Sequence, residues 1–180
     1  MNKFKLFLAA TSLLGAQSVA GQTAAPLKLD TKYDMPATVK GRFDHLGIDM
    51  RGKRLFVVGE EAQQVLVFDL STGKFIRAIK VDHPHAVLYR EDLNRIYITD
   101  EGKGVLNIYD GTSYEPLNTV ALKVDADSIG YDPATHYLYI DNGGDNAHEK
   151  FTMLSVVDTT AGAKLADIKL DGDTLEAMAL

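Results

Sequence analysis

One ordered pattern of strand and turn signals occurs three times in succession, over Phe43–Val81, Pro84–Val124 and Ala126–Leu170. Self-similarity at a fixed period constrains a fold more than any local propensity, because each unit must bury the same surfaces against its neighbours. Each unit opens on a short apolar strand: His45-Leu46-Gly47-Ile48-Asp49, Ala86-Val87-Leu88-Tyr89, and Ser128-Ile129-Gly130-Tyr131-Asp132. A polar turn follows, then a second strand: Arg54–Val58, Arg95–Thr99 and Tyr137–Asp141. The third strand always ends in Asp, at Asp69, Asp110 and Asp158, before a Ser/Thr/Gly turn and a fourth strand. The Asp spacings of about 41 and about 48 residues match one propeller blade.

Short strands bounded by turn residues predict an all-β chain. A four-stranded meander has two apolar faces and cannot cover both alone; blades stacked around an axis can. The expected fold is therefore a β-propeller fragment, with three complete four-stranded blades at about 43–82, 83–125 and 126–171, and the start of a fourth at 172–180. The repeated Asp is expected to accept hydrogen bonds from turn amides. The longer third unit carries an insertion, Asp141–Lys150, between its second and third strands.

Ahead of the blades, Met1–Lys5 is a short basic region and Leu6–Leu14 a short apolar run, with Ser18-Val19-Ala20 in place for cleavage. Residues 1–20 are expected to be a secretory signal peptide, which places the mature chain in a periplasm or outside the cell. No Cys is present, so neither a disulfide nor a lipid-modified Cys is available. No later run is long and apolar enough for a transmembrane helix, and no membrane anchor is expected. In the 21–41 segment, Leu27–Tyr33 alternates like a strand and is expected to be an outer, ring-closing one. Closure normally takes four to eight blades, so the sequence is expected to be incomplete; the alternative is a short form that closes by oligomerising. The formal net charge of −6, with no basic cluster, offers no footprint for nucleic acid.

The elements Tyr131-Asp132-Pro133-Ala134-Thr135, Leu138-Tyr139-Ile140 and Val67-Phe68-Asp69-Leu70-Ser71-Thr72-Gly73-Lys74 resemble the YVTN-type β-propeller repeat of the periplasmic YncE-like proteins. The resemblance runs from about Arg42 to Leu180. It implies a seven-bladed parent as the commonest case, and a family in which many members bind or scaffold and some similar propellers are enzymes. The second unit departs from the pattern, with Arg90 where the others have Asp49 and Asp132.

The start of each innermost strand faces the channel of a propeller, and polar residues collect there. Asp44, His85, Asp127 and Glu176 fall in one column, with His45, His83, Asp125 and Asp173 beside them. Asp44, His45, His83, His85, Asp127 and Glu176 are the candidate ligand-binding residues. Asp44, His85, Asp127 and Glu176 are candidate ligands for a divalent metal, which carboxylates and imidazoles can hold. The competing reading is a solvated channel lining, with His83-Pro84-His85 a rigid turn. In the insertion, Asp141, Asp145, His148 and Glu149 are further candidates, against a plain extended hairpin turn. No catalytic residue is assigned: there is no nucleophile elbow, no phosphate-binding loop and no thiol. The expected function is non-enzymatic binding or scaffolding, with an unknown protein or a small polar ligand as partner. The alternative is a divalent-metal-dependent hydrolase or lactonase, similar to the gluconolactonase propellers, whose motif is not visible here. The ligand set leaves the cofactor unknown, with a divalent metal as the candidate.

Overall fold

The computed structural model describes residues 27–175 and 178, and it is all-β. The expected signal peptide and Glu176 lie outside the described residues. The chain divides at Asp30; residues 27–30 are exposed and carry no regular structure. Among the described residues from Thr31 onward, twelve strands form three antiparallel four-stranded sheets, each a meander in chain order. Blade 1 comprises β1 (Leu46–Asp49), β2 (Arg54–Gly59), β3 (Gln64–Asp69) and β4 (Phe75–Lys80). Blade 2 comprises β5 (Pro84–Arg90), β6 (Arg95–Asp100), β7 (Val105–Asp110) and β8 (Pro116–Ala121). Blade 3 comprises β9 (Ile129–Asp132), β10 (Tyr137–Gly143), β11 (Phe151–Asp158) and β12 (Ala163–Asp171).

The two-residue period of each strand sends alternate side chains to opposite faces, so each blade contributes to two interfaces. Phe56, Val58, Val65 and Val67 of blade 1 pack on Val87, Ile96 and Ile98 of blade 2. Tyr97, Leu106, Ile108 and Val120, from the other face of blade 2, pack on Leu138, Ile140 and Val157 of blade 3. The remaining face of blade 1, built on Val57, Leu66 and Phe68, is covered by Tyr33 and Val39. Residues 27–33 carry no regular structure, and Tyr33 packs on blade 1; the blade that the expected ring-closing strand would complete is not among the described residues.

The repeated Asp shapes the same turn in every blade. The Oδ1 of Asp69 accepts the amides of Ser71 and Thr72 at 3.0 and 2.7 Å. That of Asp110 accepts Thr112 and Ser113 at 2.8 and 2.7 Å, and that of Asp158 accepts Thr160 and Ala161 at 2.7 and 3.0 Å. A β-bulge precedes each of these turns, at Val67/Phe68, Ile108/Tyr109 and Val156/Val157.

A second repeated device joins the blades. The carbonyl after the repeated Asp receives a donor from the preceding element. Arg54 donates to Gly111 O and Arg95 to Thr159 O (3.1 Å), from equivalent positions at the start of β2 and β6. For blade 1 the corresponding carbonyl is that of Leu70, and Tyr33 Oη donates to it at 2.9 Å. Arg90 explains its departure from the repeat in the same terms: it pairs with Asp92, donates to Thr159 Oγ1 at 2.7 Å, and lies over the Tyr131 ring. An Asp there could not reach blade 3.

Candidate functional site

The column of residues at the start of the innermost strands converges on one cleft. Asp44 and Asp127 lie just before β1 and β9, and His85 is the second residue of β5. Pro84 opens β5, and the register of β5 on β6 shifts between Pro84 and Val87. A bulge re-aims the side chain it carries, and here that side chain is His85. The Ala86 amide next to it is held by Thr99 Oγ1 at 2.8 Å, and the same hydroxyl donates to Asp127 O at 2.8 Å. Blade 2 thus fixes both its own histidine and the aspartate of blade 3.

His85 sits among three carboxylates. Its Nδ1 is 3.1 Å from Asp44 Oδ2 and 3.4 Å from Asp127 Oδ1, and its Nε2 is 2.7 Å from Glu101 Oε2. These are close charge contacts; neither ring nitrogen has an aligned hydrogen bond. Pairing with Asp127 raises the imidazole pKa, desolvation opposes it, and the charges of Glu101 and Asp44 add to the rise, bringing it to about 9. His85 is therefore an imidazolium at neutral pH. His45 stands beside it, with Nδ1 3.0 Å from Asp44 Oδ1 and 3.9 Å from Asp127 Oδ1, and Nε2 3.4 Å from Ser128 Oγ.

The cleft around these groups measures about 640 Å³ and is also lined by Arg42, Phe43, Glu60, Glu101 and Asn146. Arg42 pairs with Glu60 at 2.6 Å and with Glu61 at 3.2 Å. With Asp44, Asp127, Glu60 and Glu101 against Arg42 and protonated His85, the lining is net acidic. Two groups have the geometry to hold a metal: Asp44, His45 and Asp127, and Asp44, Glu60 and His85.

Behind Asp127 lies Asp141. It is 3% exposed, and neither carboxylate oxygen has an aligned hydrogen-bond partner. Desolvation raises its pKa and the Asp127 charge raises it further; the Ser128 and Asp141 amides and the His45 charge only partly oppose this, leaving it at about 7.

Of the sequence candidates, Asp44, His45, His85 and Asp127 are brought together. His83 is exposed, with its ring over Gly102. Asp173 pairs with Lys150 at 3.1 Å, and Asp125 accepts Asn146 Nδ2 at 2.8 Å. The insertion does not act as one loop. Asp141, Asn142 and Gly143 continue β10, whereas Asp145 and His148 are exposed and Glu149 pairs with Lys123 at 2.6 Å. Glu60 and Glu101 were not singled out from the sequence. They occupy the same place in the repeat, directly after β2 and β6, and an alignment of the second strands carried through to the next residue shows them.

The comparisons with known proteins fit this architecture. Residues 44–174 match a family model described as DUF5128: 6-bladed beta-propeller. The uncharacterized protein YncE of Salmonella typhi is 28% identical over 98 residues, and that of Salmonella typhimurium 26% over the same length. The alignment covers 54% of this chain and only 28% of either relative. Among solved structures, Kuenenia stuttgartiensis hydrazine synthase superposes with a TM-score of 0.64 at 17% identity, over 71% of this chain and 37% of that one. The U3-55K structure does so with a TM-score of 0.59 at 13% identity, over 72% and 41%. These two show the fold alone. The family description names six blades, where the repeat resemblance implied seven as the commonest number, and three are present among the described residues. With blades, repeated turns and family match in agreement, the chain belongs to the DUF5128 family of 6-bladed β-propellers and is YncE-like in sequence.

Proposed function

We propose that this protein is an exported, non-enzymatic binding propeller that holds a small cationic ligand in the acidic cleft at the start of its innermost strands. The observation that carries this is the convergence of Asp44, His85 and Asp127 from three successive blades, with Glu101 closing the ring around His85. Equivalent positions of a repeat usually serve packing; here they are polar and line a cleft. A net negative lining that already holds one imidazolium is suited to exchange that charge contact for a ligand's ammonium group.

The reading is tested by titration calorimetry of the full chain in EDTA, with spermidine, lysine and choline as probes. At least one amine is expected to bind, and Asp127→Asn to weaken it at least about tenfold, which is about 1.4 kcal/mol. His83→Ala is expected to bind like the wild type. Failure of all three amines to bind overturns the reading of the ligand as a small amine. Export is tested separately. The chain recovered from a periplasmic extract is expected to have the mass of a protein starting at Gly21, and an intact Met1 on the recovered protein would overturn it.

The second reading, a divalent-metal-dependent hydrolase or lactonase, is favoured by the two metal-capable groups in the same cleft. It requires a bound metal before any turnover can be considered.

A further inference from the structure

We infer that the cleft contains a site for a first-row divalent transition ion, held by Asp44, His45 Nδ1 and Asp127, with the buried carboxyl of Asp141 behind it. The inference rests on the cleft being a cation site, as proposed above, and names the cation.

Three observations select this site. The first is spacing. Bonds of about 2.0–2.2 Å place ligand atoms about 3–3.5 Å apart in octahedral or tetrahedral geometry. His45 Nδ1 is 3.0 Å from Asp44 Oδ1 and 3.9 Å from Asp127 Oδ1, and the three ligand atoms all lie within 4.8 Å of one another, so Asp44 and His45 are already at ligand spacing and Asp127 must move in to complete the set. The second is orientation. The other nitrogen of His45, Nε2, faces Ser128 Oγ at 3.4 Å. A metal-bound histidine is held by its second nitrogen in this way, which fixes the ring and directs the free nitrogen at the ion. The third is Asp141. This carboxyl is 97% buried, has no aligned hydrogen-bond partner on either oxygen, and belongs to the residue whose carbonyl accepts the Asp127 amide at 3.1 Å. Two acids this close, one of them buried, repel when both are ionised, and a cation in front of them would relieve that repulsion.

The other group, Asp44, Glu60 and His85, is weaker. Its Glu60 already pairs with Arg42 at 2.6 Å. Calcium is disfavoured in the first group as well, since it takes six to eight oxygen ligands, whereas an imidazole with two carboxylates suits zinc, cobalt or manganese.

The test uses the full chain stripped with EDTA and dialysed. Zinc is expected to bind with one ion per chain by calorimetry and by metal analysis. Cobalt is expected to give visible absorption bands that zinc abolishes. His45→Ala is expected to lose those bands, and His45→Ala and Asp127→Asn each to weaken zinc at least about tenfold. Asp141→Asn is expected to weaken zinc less than either while leaving the thermal unfolding transition cooperative. His83→Ala should bind zinc as the wild type does, which excludes a surface histidine as the ligand. No stoichiometric zinc, or zinc binding unchanged in both His45→Ala and Asp127→Asn, overturns the inference. If spermidine binds while zinc and cobalt do not, the metal site falls and the binding reading stands. If zinc binds and the amines do not, the small-amine ligand falls and the metal site stands.

Discussion

Arg54→Ala is expected to destabilise the chain by about 3–5 kcal/mol, because it leaves a buried carboxylate without its counter-charge. Arg54 Nη2 and Nε lie 2.7 and 2.8 Å from Asp49 Oδ2, and Asp49 is only 2% exposed. The same guanidinium donates to Gly111 O and, at 2.9 Å, to Tyr114 Oη, and it lies over the rings of Phe56, Tyr89 and Tyr114. One side chain thus ties the inner turn of blade 1 to the third-strand turn of blade 2. Lys at this position keeps the charge but cannot serve two blades through a planar fork, so Arg54→Lys should fall between wild type and Arg54→Ala. Urea unfolding measures all three. The double variant Asp49→Ala/Arg54→Met should recover much of the loss, since removing both charges removes the unpaired one. A loss under about 1 kcal/mol in Arg54→Ala would show that Asp49 finds its charge partner elsewhere.

The blades were legible in the sequence because their signals are local and repeated. Period-two alternation gave the faces, and the Asp at the end of each third strand marked the same hairpin three times. The cross-blade arginines were not legible. Arg54 and Arg95 recur at one position, but a basic residue at the start of a strand is ordinary, and its target lies about 60 residues away on the next blade. Arg90 looked like a defect of the repeat and is a cross-blade contact. Leu27–Tyr33, expected to close the ring on a last blade, has no regular structure among the described residues; alternation makes a strand only where a ladder edge receives it, and that last blade is not among them. At the site, Asp44, His85 and Asp127 followed from alignment of the innermost strands, since equivalent positions of neighbouring blades must meet near the axis. Glu101 and Asp141 did not, because their roles depend on which way a neighbouring blade turns them. Asp141 occupies the position of Thr99 and Val58 in the other blades. Nothing in an Asp-Asn-Gly-Gly run indicates that its first residue is buried.

That substitution in the repeat leads to the largest expected effect of pH. In EDTA, so that no divalent ion enters, the chain is expected to lose stability as pH rises from about 4 to about 9, in two steps. Asp141 has its folded pKa raised from 3.8 to about 7. Its contribution is fully present below 3.8, where both states carry the proton, and is lost as pH rises to about 7, where only the unfolded chain ionises freely. The gap amounts to about 4 kcal/mol. His85 follows at higher pH. Its folded pKa is raised from 6.5 to about 9, so the stability from its contacts with Asp127, Glu101 and Asp44 is present below 6.5 and is lost as pH rises through 9. Asp141→Asn is neutral at every pH, so it removes the first step alone. It should match the wild type near pH 4 and exceed it by up to about 4 kcal/mol at pH 8. His85→Gln removes the second step and leaves the first. Urea midpoints at pH 4, 6, 8 and 9.5 separate the two variants. A wild-type chain equally stable at pH 4 and pH 8, or an Asp141→Asn chain that shows no gain at pH 8, would mean that the carboxyl is relieved by a partner or solvated rather than buried against Asp127.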